Sequence, residues 1–500
     1  MDTSQSSAVV GVLTLWCLYS LVHFFGETRK LAHIPTVGFS NPILSYFSYI
    51  QLLLDPPGFL ERGWSKIPPG TKYVKVPSMA RWVVFPVHPE GYQEISRAPD
   101  SRLSVTKASE DTLQAKYTMY SEEIDDNLQI IPIRDKLSKM LGKFVPEVHD
   151  ELAATLEDEF HVEGDDWKSF VALPTIINTI ARVSNRVLVG LPLIGYVKEC
   201  VDYAVNVFIM AYLLPIFPGV IRPLVNWAVS PIPRRYRNIK RYYQPLLDER
   251  RRAKADLGDQ YEEPATLLMW LADIADVHKR GDRDIVLRML GVNFGSIHTT
   301  SITFTHALFS LLSRPEDVET ARREVVEVID EEGWTKAGMD RLRFLDSFMK
   351  ESQRFDTIGT TIGLRISVED TSLSGVFIPK DTMLGANVIN AHFDSKAWGD
   401  STHAFDPYRF LKIEEEQGRR IQLPTSTINT MTFGYGRHAC PGRFFAAQEM
   451  KLLMAYFLFY YDLKLDTKNG EKPKNFWFGM GNVPNGTARV LMRRRKVTVE

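Results

Sequence analysis

Cysteine is scarce in this chain: three in 500 residues, Cys17, Cys200 and Cys440. Three cannot build a disulfide framework, and the count suits a reducing compartment. An excess of either charge is missing too, since 60 Lys and Arg against 61 Asp and Glu leave a net charge of −1. Without a basic footprint, nucleic acid is excluded as an expected partner. There is no Gly/Ser linker, no long charge block and no internal repeat after about Ile34. A hydrophobic share of 44% with 24% charged residues excludes a disordered chain. One large domain is therefore expected, above the usual size range.

One long uncharged run is present, Ala8 to Phe25. At about 1.5 Å per residue it reaches about 27 Å, enough for a hydrocarbon core. A cleaved signal peptide would want a basic start, a shorter apolar core and a small-x-small site. The start here carries Asp2 and no Lys or Arg, so an uncleaved anchor is expected. Arg29 and Lys30 follow the run, which leaves the rest in the cytosol by the positive-inside bias. Asn485-Gly486-Thr487 would then never meet a glycosylating lumen. The expected organisation is an anchor over 1–28, a basic, proline-bearing hinge over 29–45, and one large domain over 46–500. Val205 to Val229 is rich in large apolar residues but interrupted by Pro215, Pro218 and Pro223. It reads equally as two short helices dipping into a bilayer surface or as core.

Helical patterns dominate the remainder. Asp282 to Ser313 keeps one for about thirty residues until Pro315 stops it. Shorter helices are expected over Arg134 to Asp158, Glu316 to Asp330, Met339 to Phe355 and Arg443 to Tyr460. Extended pieces are expected at Lys72 to Pro77, Arg81 to Val87, Thr361 to Ser367, Met383 to Asn387 and Val490 to Arg493. Many helices with a few short strands make a mainly α fold with small β-sheets, an α+β arrangement.

The segment richest in chemistry is Phe433-Gly434-Tyr435-Gly436-Arg437-His438-Ala439-Cys440-Pro441-Gly442-Arg443. Glycines before the cysteine and a Pro-Gly pair after it put Cys440 in a tight loop with a helix starting behind it. Backbone N–H groups there would point at the sulfur and favour its thiolate. A thiolate held this way is a good axial ligand for haem iron. Gly434-x-Gly436-x-x-Ala439 mimics a dinucleotide fingerprint, but the preceding Thr425 to Thr432 is polar and no strand–helix–strand unit follows. That alternative is rejected.

The same segment resembles the haem-binding signature of the cytochrome P-450 superfamily, which Phe433, Gly436, His438, Cys440 and Gly442 match without a gap. Other elements in the right order resemble that family as well. Glu351 and Arg354 lie three apart on one helix face, and Phe405-Asp406-Pro407-Tyr408-Arg409-Phe410 resembles its Pro-x-Arg-Phe element. The resemblance implies a single haem domain behind a transmembrane helix, with Cys440 as axial ligand and a buried Glu351–Arg354–Arg409 cluster fixing the architecture. It implies haem-carboxylate contacts from Arg134, Arg365 and His438.

Phe294-Gly295-Ser296-Ile297-His298-Thr299-Thr300 is a small, polar notch in the long helix. It resembles the family's oxygen-binding groove with His298 in place of the acid. Thr299 is the expected proton-relay hydroxyl, and His298 a substitute carrier by virtue of an ordinary pKa near 6.5. Pocket walls are expected from Phe294, Ile297, Ile358, Thr361, Phe478 and Met480.

The implied protein is a microsomal monooxygenase of fungal type, single-pass in the endoplasmic reticulum membrane. It would draw electrons from NADPH through a cytochrome P-450 reductase, or from a cytochrome b-type donor. Its substrate would be a lipophilic molecule, a terpenoid or steroid-like intermediate of fungal secondary metabolism. Two rivals share these residues: an oxygen-independent haem–thiolate isomerase or dehydratase, and a non-catalytic haem protein that only binds a ligand.

Overall fold

A long apolar helix becomes the axis of this structure because it can be buried on nearly every side. The computed structural model describes residues 22, 24–41, 43–78, 81–124, 126–160, 166–190 and 194–495. The helix Asp282–Leu312 begins with Asp282 and Asp284 in its first turn, where carboxylates complement the helix dipole, and ends before Pro315. Against it pack the helices Ala172–Leu188, Ile194–Leu213, Arg343–Phe355 and Arg443–Tyr460.

The strands are short. They are β1 Tyr73–Pro77, β2 Trp82–Pro86, β3 Leu103–Ser104, β4 Lys168–Val171, β5 Thr361–Ser367 and β6 Thr371–Leu373. The chain continues with β7 Val376–Ile378, β8 Met383–Asn387, β9 Tyr461–Leu465, β10 Phe476–Phe478, β11 Gly481–Val483 and β12 Arg489–Arg494. The largest sheet has the order β1-β2-β8-β5-β3, with β2 and β8 parallel and the other pairs antiparallel. β5 bulges against β8 between Ile362 and Arg365. Gly363 makes that bulge possible at φ +64°, since a Cβ there would meet the Tyr92 hydroxyl at 1.8 Å. The fold is mainly helical with small sheets, as the sequence implies.

The expected anchor lies outside the described residues except for Val22, Phe24 and Phe25. The segment expected to be a hinge is docked instead. Phe24 stacks on Trp82 with ring centroids 5.4 Å apart, and Leu31 and Ile34 are each 2% exposed. Backbone bonds then add the segment to the sheet edge: Lys75 N–H donates to Pro35 O at 2.8 Å, and Val37 N–H donates to Lys75 O at 2.9 Å. Buried Lys75 donates its ammonium to Leu31 O, and burial pulls its pKa down to about 8. Apolar residues hidden in a basic segment produce this result: their burial outweighs the solubility of Arg29 and Lys30.

The proline-broken stretch resolves by face. Helix Ile194–Leu213 runs unbroken through Val205, and its buried side includes Tyr203, Val207 and Met210. Its other side exposes Phe208, Ile209 and Tyr212. Prolines then set the short helix Arg222–Val229, which leaves Leu224 and Trp227 in solvent. Gly195–Ile216 is the one helix among the described residues long and apolar enough to cross a membrane.

Two expectations follow. Leu31→Ala and Ile34→Ala should each cost about 2–5 kcal/mol in chemical denaturation; values near zero would mean the segment is a free hinge. Burial also raises the carboxyl of Glu449, which accepts from Ser184 Oγ at 2.7 Å, to about 8. An acid whose folded pKa is raised contributes stability below its unfolded pKa and loses it as pH rises through the folded value. Glu449→Gln should therefore flatten the fall in stability between about pH 5 and pH 8, measured by denaturation midpoints across that range.

Candidate functional site

Two left-handed glycines shape the cysteine loop. Gly434 and Gly436 both sit at φ +74°, and a Cβ on Gly436 would press within 3.1 Å of Ser96. The loop closes when Cys440 N–H donates to Phe433 O at 2.7 Å and Gly434 N–H donates to Met431 O at 2.8 Å. Helix Arg443–Tyr460 starts immediately behind, so the N–H groups of Gly442 and Arg443 point at the sulfur. Burial nevertheless outweighs them and pushes the thiol pKa up, with those N–H groups and the Arg443 charge opposing it. The expected preference for thiolate is thus not a property of the loop alone. A cation at the sulfur would displace the proton outright.

Cys440 is deep in the molecule, yet its side chain is accessible. Depth and accessibility coexist when a residue lines an interior slot. On the long helix Gly295 and Thr299, one turn apart, are exposed while Ile297, His298 and Thr300 are buried. A Cβ added to Gly295 would meet nothing within 4 Å. Thr299 Oγ1 donates to Gly295 O at 2.7 Å, which turns the oxygen's lone pairs outward. β5 contributes half-exposed Thr361 to Leu364 before turning buried at Arg365.

The donor set fits an anionic macrocycle carrying a metal. Cys440 offers the soft ligand. Arg365 is 2% exposed and pairs with no carboxylate among the described residues, bonding only to the carbonyls of Gly363 and Leu364. A buried cation without a counter-charge is costly, and a carboxylate in the slot would supply one. His438 lies close enough to feel the Arg365 charge, and burial first, then that charge, lowers its pKa. Its Nε2 is 2.9 Å from Asp100 Oδ1, an ion-pair distance outside hydrogen-bonding geometry. Arg134 is exposed on the π-helical turn Ile133–Leu137, beside Gly442 through Ile133, and has no partner among the described residues.

Behind the loop, Glu351 takes both arms of one guanidinium. Arg354 Nη2 and Nε donate to its two oxygens at 2.8 and 2.9 Å, and Arg409 Nε donates to Oε1 at 3.0 Å. All three are buried. Arg354 Nη1 also donates to His392 O and Thr402 O. His392 Nε2 accepts from Met431 N–H at 3.2 Å, which leaves its proton on Nδ1, facing Arg354 O at 3.1 Å. Buried Lys350 holds the carbonyls of Leu423 and Thr425, and Lys451 on the cysteine helix pairs with Asp346 at 3.2 Å. The cluster thereby reaches the cysteine loop through a continuous chain of bonds. His392, Lys350 and Asp346 carry no sequence signal beyond proximity to Glu351 or a lone histidine between elements.

Not every expected residue meets the slot. His298 is turned from Thr299: its ring is buried and its Nε2 faces Val201 O at 3.4 Å, and burial lowers its pKa. One helical step is about 100°, so adjacent residues cannot share a narrow wall. Ile297 is fully buried in the core on the side opposite Gly295 and Thr299, which removes it from the pocket walls. Phe294 is half-buried with its ring 5.1 Å from Phe208, Ile358 is half-buried, and Thr361 Oγ1 meets Met480 Sδ at 3.2 Å. Phe478 is exposed at the rim, 5.1 Å from Tyr212.

A sequence profile described as Cytochrome P450 matches residues 132–489. Cytochrome P450 monooxygenase 151 of Postia placenta is 32% identical over 486 residues, 95% of this chain and 97% of that protein. Cytochrome P450 monooxygenase paxP of Penicillium paxilli is 31% identical over 477 residues, 92% of this chain and 90% of that protein. Cytochrome P450 monooxygenase CYP512U6 of Ganoderma lucidum is 26% identical across 99% of this chain and 97% of that protein.

Removing the shared carboxylate should strand two buried guanidinium groups. Glu351→Ala is expected to cost about 3–5 kcal/mol and to yield protein without haem. Denaturation with pigment absorbance checks both, and a stable, fully pigmented variant would dissolve the role given to Glu351.

Proposed function

The chain belongs to the cytochrome P450 family, and from that premise we propose a membrane-associated haem–thiolate monooxygenase hydroxylating a lipophilic small molecule. A terpenoid or steroid-like intermediate of fungal secondary metabolism is the proposed substrate class. NADPH electrons arrive through a separate cytochrome P450 reductase, with a cytochrome b-type protein as a further donor. The proposed location is the endoplasmic reticulum membrane, with the catalytic domain in the cytosol. The observation that carries this reading is that Cys440, set deep in its glycine-shaped loop, is accessible, as is the Thr299 hydroxyl on the long helix.

Haem b, when bound, supplies the activation of O2 and the oxidation of an unactivated C–H bond, which side chains cannot perform. The chain's own residues ligate, orient and exclude water. Cys440 would hold the haem iron through its sulfur as thiolate, with the Gly442 and Arg443 N–H groups stabilising that charge. Arg365, His438 and Arg134 would receive the haem carboxylates. Thr299 Oγ1, already donating to Gly295 O, accepts a proton donor from the slot side. Glu351, Arg354 and Arg409 hold the loop and touch no substrate.

A lipophilic substrate is supported by the surface around Phe478. Phe47, Ile50 and Leu54 of helix Ser45–Leu54 are exposed, as are Phe476 and Phe478 on β10 and Phe208 and Ile209 on helix Ile194–Leu213. Leu53 and Tyr212 approach the same Gly479, so these elements adjoin. An apolar rim of this kind suits molecules arriving from a bilayer. An oxygen-independent isomerase would have no use for the Thr299 hydroxyl on the accessible face.

Expression with a reductase, followed by mass spectrometry on a terpenoid panel, should give products heavier by one oxygen that depend on NADPH. The reduced carbon-monoxide adduct should show the thiolate-type absorption band, and Cys440→Ser should lose it. A nitrogen-type spectrum, or a band indifferent to Cys440, would end this reading.

A further inference from the structure

Beyond Thr299, the same face of the long helix continues through Thr303, His306 and Ser310. Spacings of four, three and four residues stack these side chains on one side. Accessibility falls along the stripe: Thr299 is exposed, Thr303 half-exposed, His306 1% and Ser310 0% exposed. Thr303 Oγ1 donates to Thr299 O at 2.8 Å, repeating the Thr299–Gly295 pattern, so both hydroxyls keep acceptor capacity.

At its far end the stripe meets a charge that reaches solvent. Ser310 Oγ donates to Asp356 Oδ2 at 3.2 Å, and Asn475 Nδ2 donates to Asp356 Oδ1 at 2.9 Å. Lys472 pairs with Asp356 Oδ2, and its side chain is 28% exposed. His306 stands between this pair and the threonines. Among the described residues, neither of its ring nitrogens has a hydrogen-bond partner, and buried Asn475 Oδ1 and Asn482 Oδ1 have none either. The Asn475 side chain and the Asn482 backbone approach the ring as hydrogen-bonding groups, but neither reaches hydrogen-bonding geometry with it.

Several orphaned polar atoms around one buried ring exceed what a native core leaves unpaired. A bridging water with two to four partners is the ordinary remedy. Asp356 and Lys472 are the charged groups facing the ring. Burial lowers His306 to about 4, so the imidazole is neutral at cytosolic pH. A neutral imidazole carries one donor and one acceptor nitrogen, which lets it take a proton on one side and release another on the opposite side.

We propose that His306, with water held between it, Asn475 and Asn482, forms a proton relay from partly exposed Lys472 through buried Asp356 to Thr303 and Thr299. This relay takes the part that His298, facing Val201, does not. It rests on the monooxygenase reading: each turnover consumes one O2, two electrons from the reductase and two protons, and yields one hydroxyl group and one water. Both protons originate in solvent, and each proton released toward Thr303 is replaced from the Asp356 side. His306 is a positioning residue that touches no substrate.

The test uses the full haem-loaded chain with its reductase in bilayer discs. A crystal structure should show ordered water bonded to His306 and to Asn475 or Asn482. His306→Phe should displace that water; His306→Gln should keep it yet carry no proton. Both variants should slow NADPH oxidation about ten- to a hundredfold, at or below the usual contribution of a positioned proton carrier, and enlarge the solvent deuterium effect. The carbon-monoxide band should stay unchanged. Lys472→Arg keeps Asp356 paired but cannot release a proton, so it should move the pH profile in a folded chain, which keeps the question open to measurement should His306→Phe misfold. A dry site, or variants with wild-type isotope effect and pH profile, would overturn the relay. Wild-type protein lacking the thiolate band would instead overturn the monooxygenase reading, while the water site still stands or falls on the density.

Discussion

One carboxylate, fully removed from water, organises the proximal half of this molecule. Glu351 is worth burying only while Arg354 and Arg409 both bond to it, because each charge alone would face the desolvation cost uncompensated. Apart from one bond to the Ser401 hydroxyl, the remaining guanidinium hydrogen bonds go to backbone carbonyls of the turns around the cluster: His392 and Thr402 from Arg354, Ser401 and Ala404 from Arg409. Loops have no ladder of their own, so the cluster does for them what a sheet does for strands. His392 passes that rigidity to Met431, and Met431 to Gly434. The sulfur of Cys440 is located by a carboxylate it never touches.

The long helix divides its chemistry by angle. Its Gly295–Thr299 edge borders the slot, the Ile297 side closes the core, and His298 is spent on the Val201 carbonyl. A polar notch in sequence therefore resolves into one functional edge and one packing edge. The hydroxyl stripe below Thr299 keeps its polarity far into the core, where a packing helix would carry Leu or Ala. That retention is what gives His306 and Asp356 their interest.

The outer surface is organised by exposed apolar residues. Helix Ser45–Leu54, β10 and the outward side of helix Ile194–Leu213 leave large side chains in water near one another. The docked segment from Phe24 to Val37 enters beside β1.

Much was legible in the residues alone. Cys440 between glycines and a helix start, the three-residue spacing of Glu351 and Arg354, and the unbroken pattern from Asp282 to Leu312 are local, and local chemistry is written in local sequence. The helices Ala172–Leu188 and Ile232–Leu257 and the sheet joining β4, β12 and β9 went unread, because their partners lie up to hundreds of residues away. Sequence named Arg365 and Thr299; only packing decided that Arg365 is buried without a counter-charge and that Ile297 and His298 face elsewhere. The physical reason is the same throughout. Spacing specifies which side chains share an element's face, while burial and orphaned hydrogen-bonding groups exist only once distant elements close over that face.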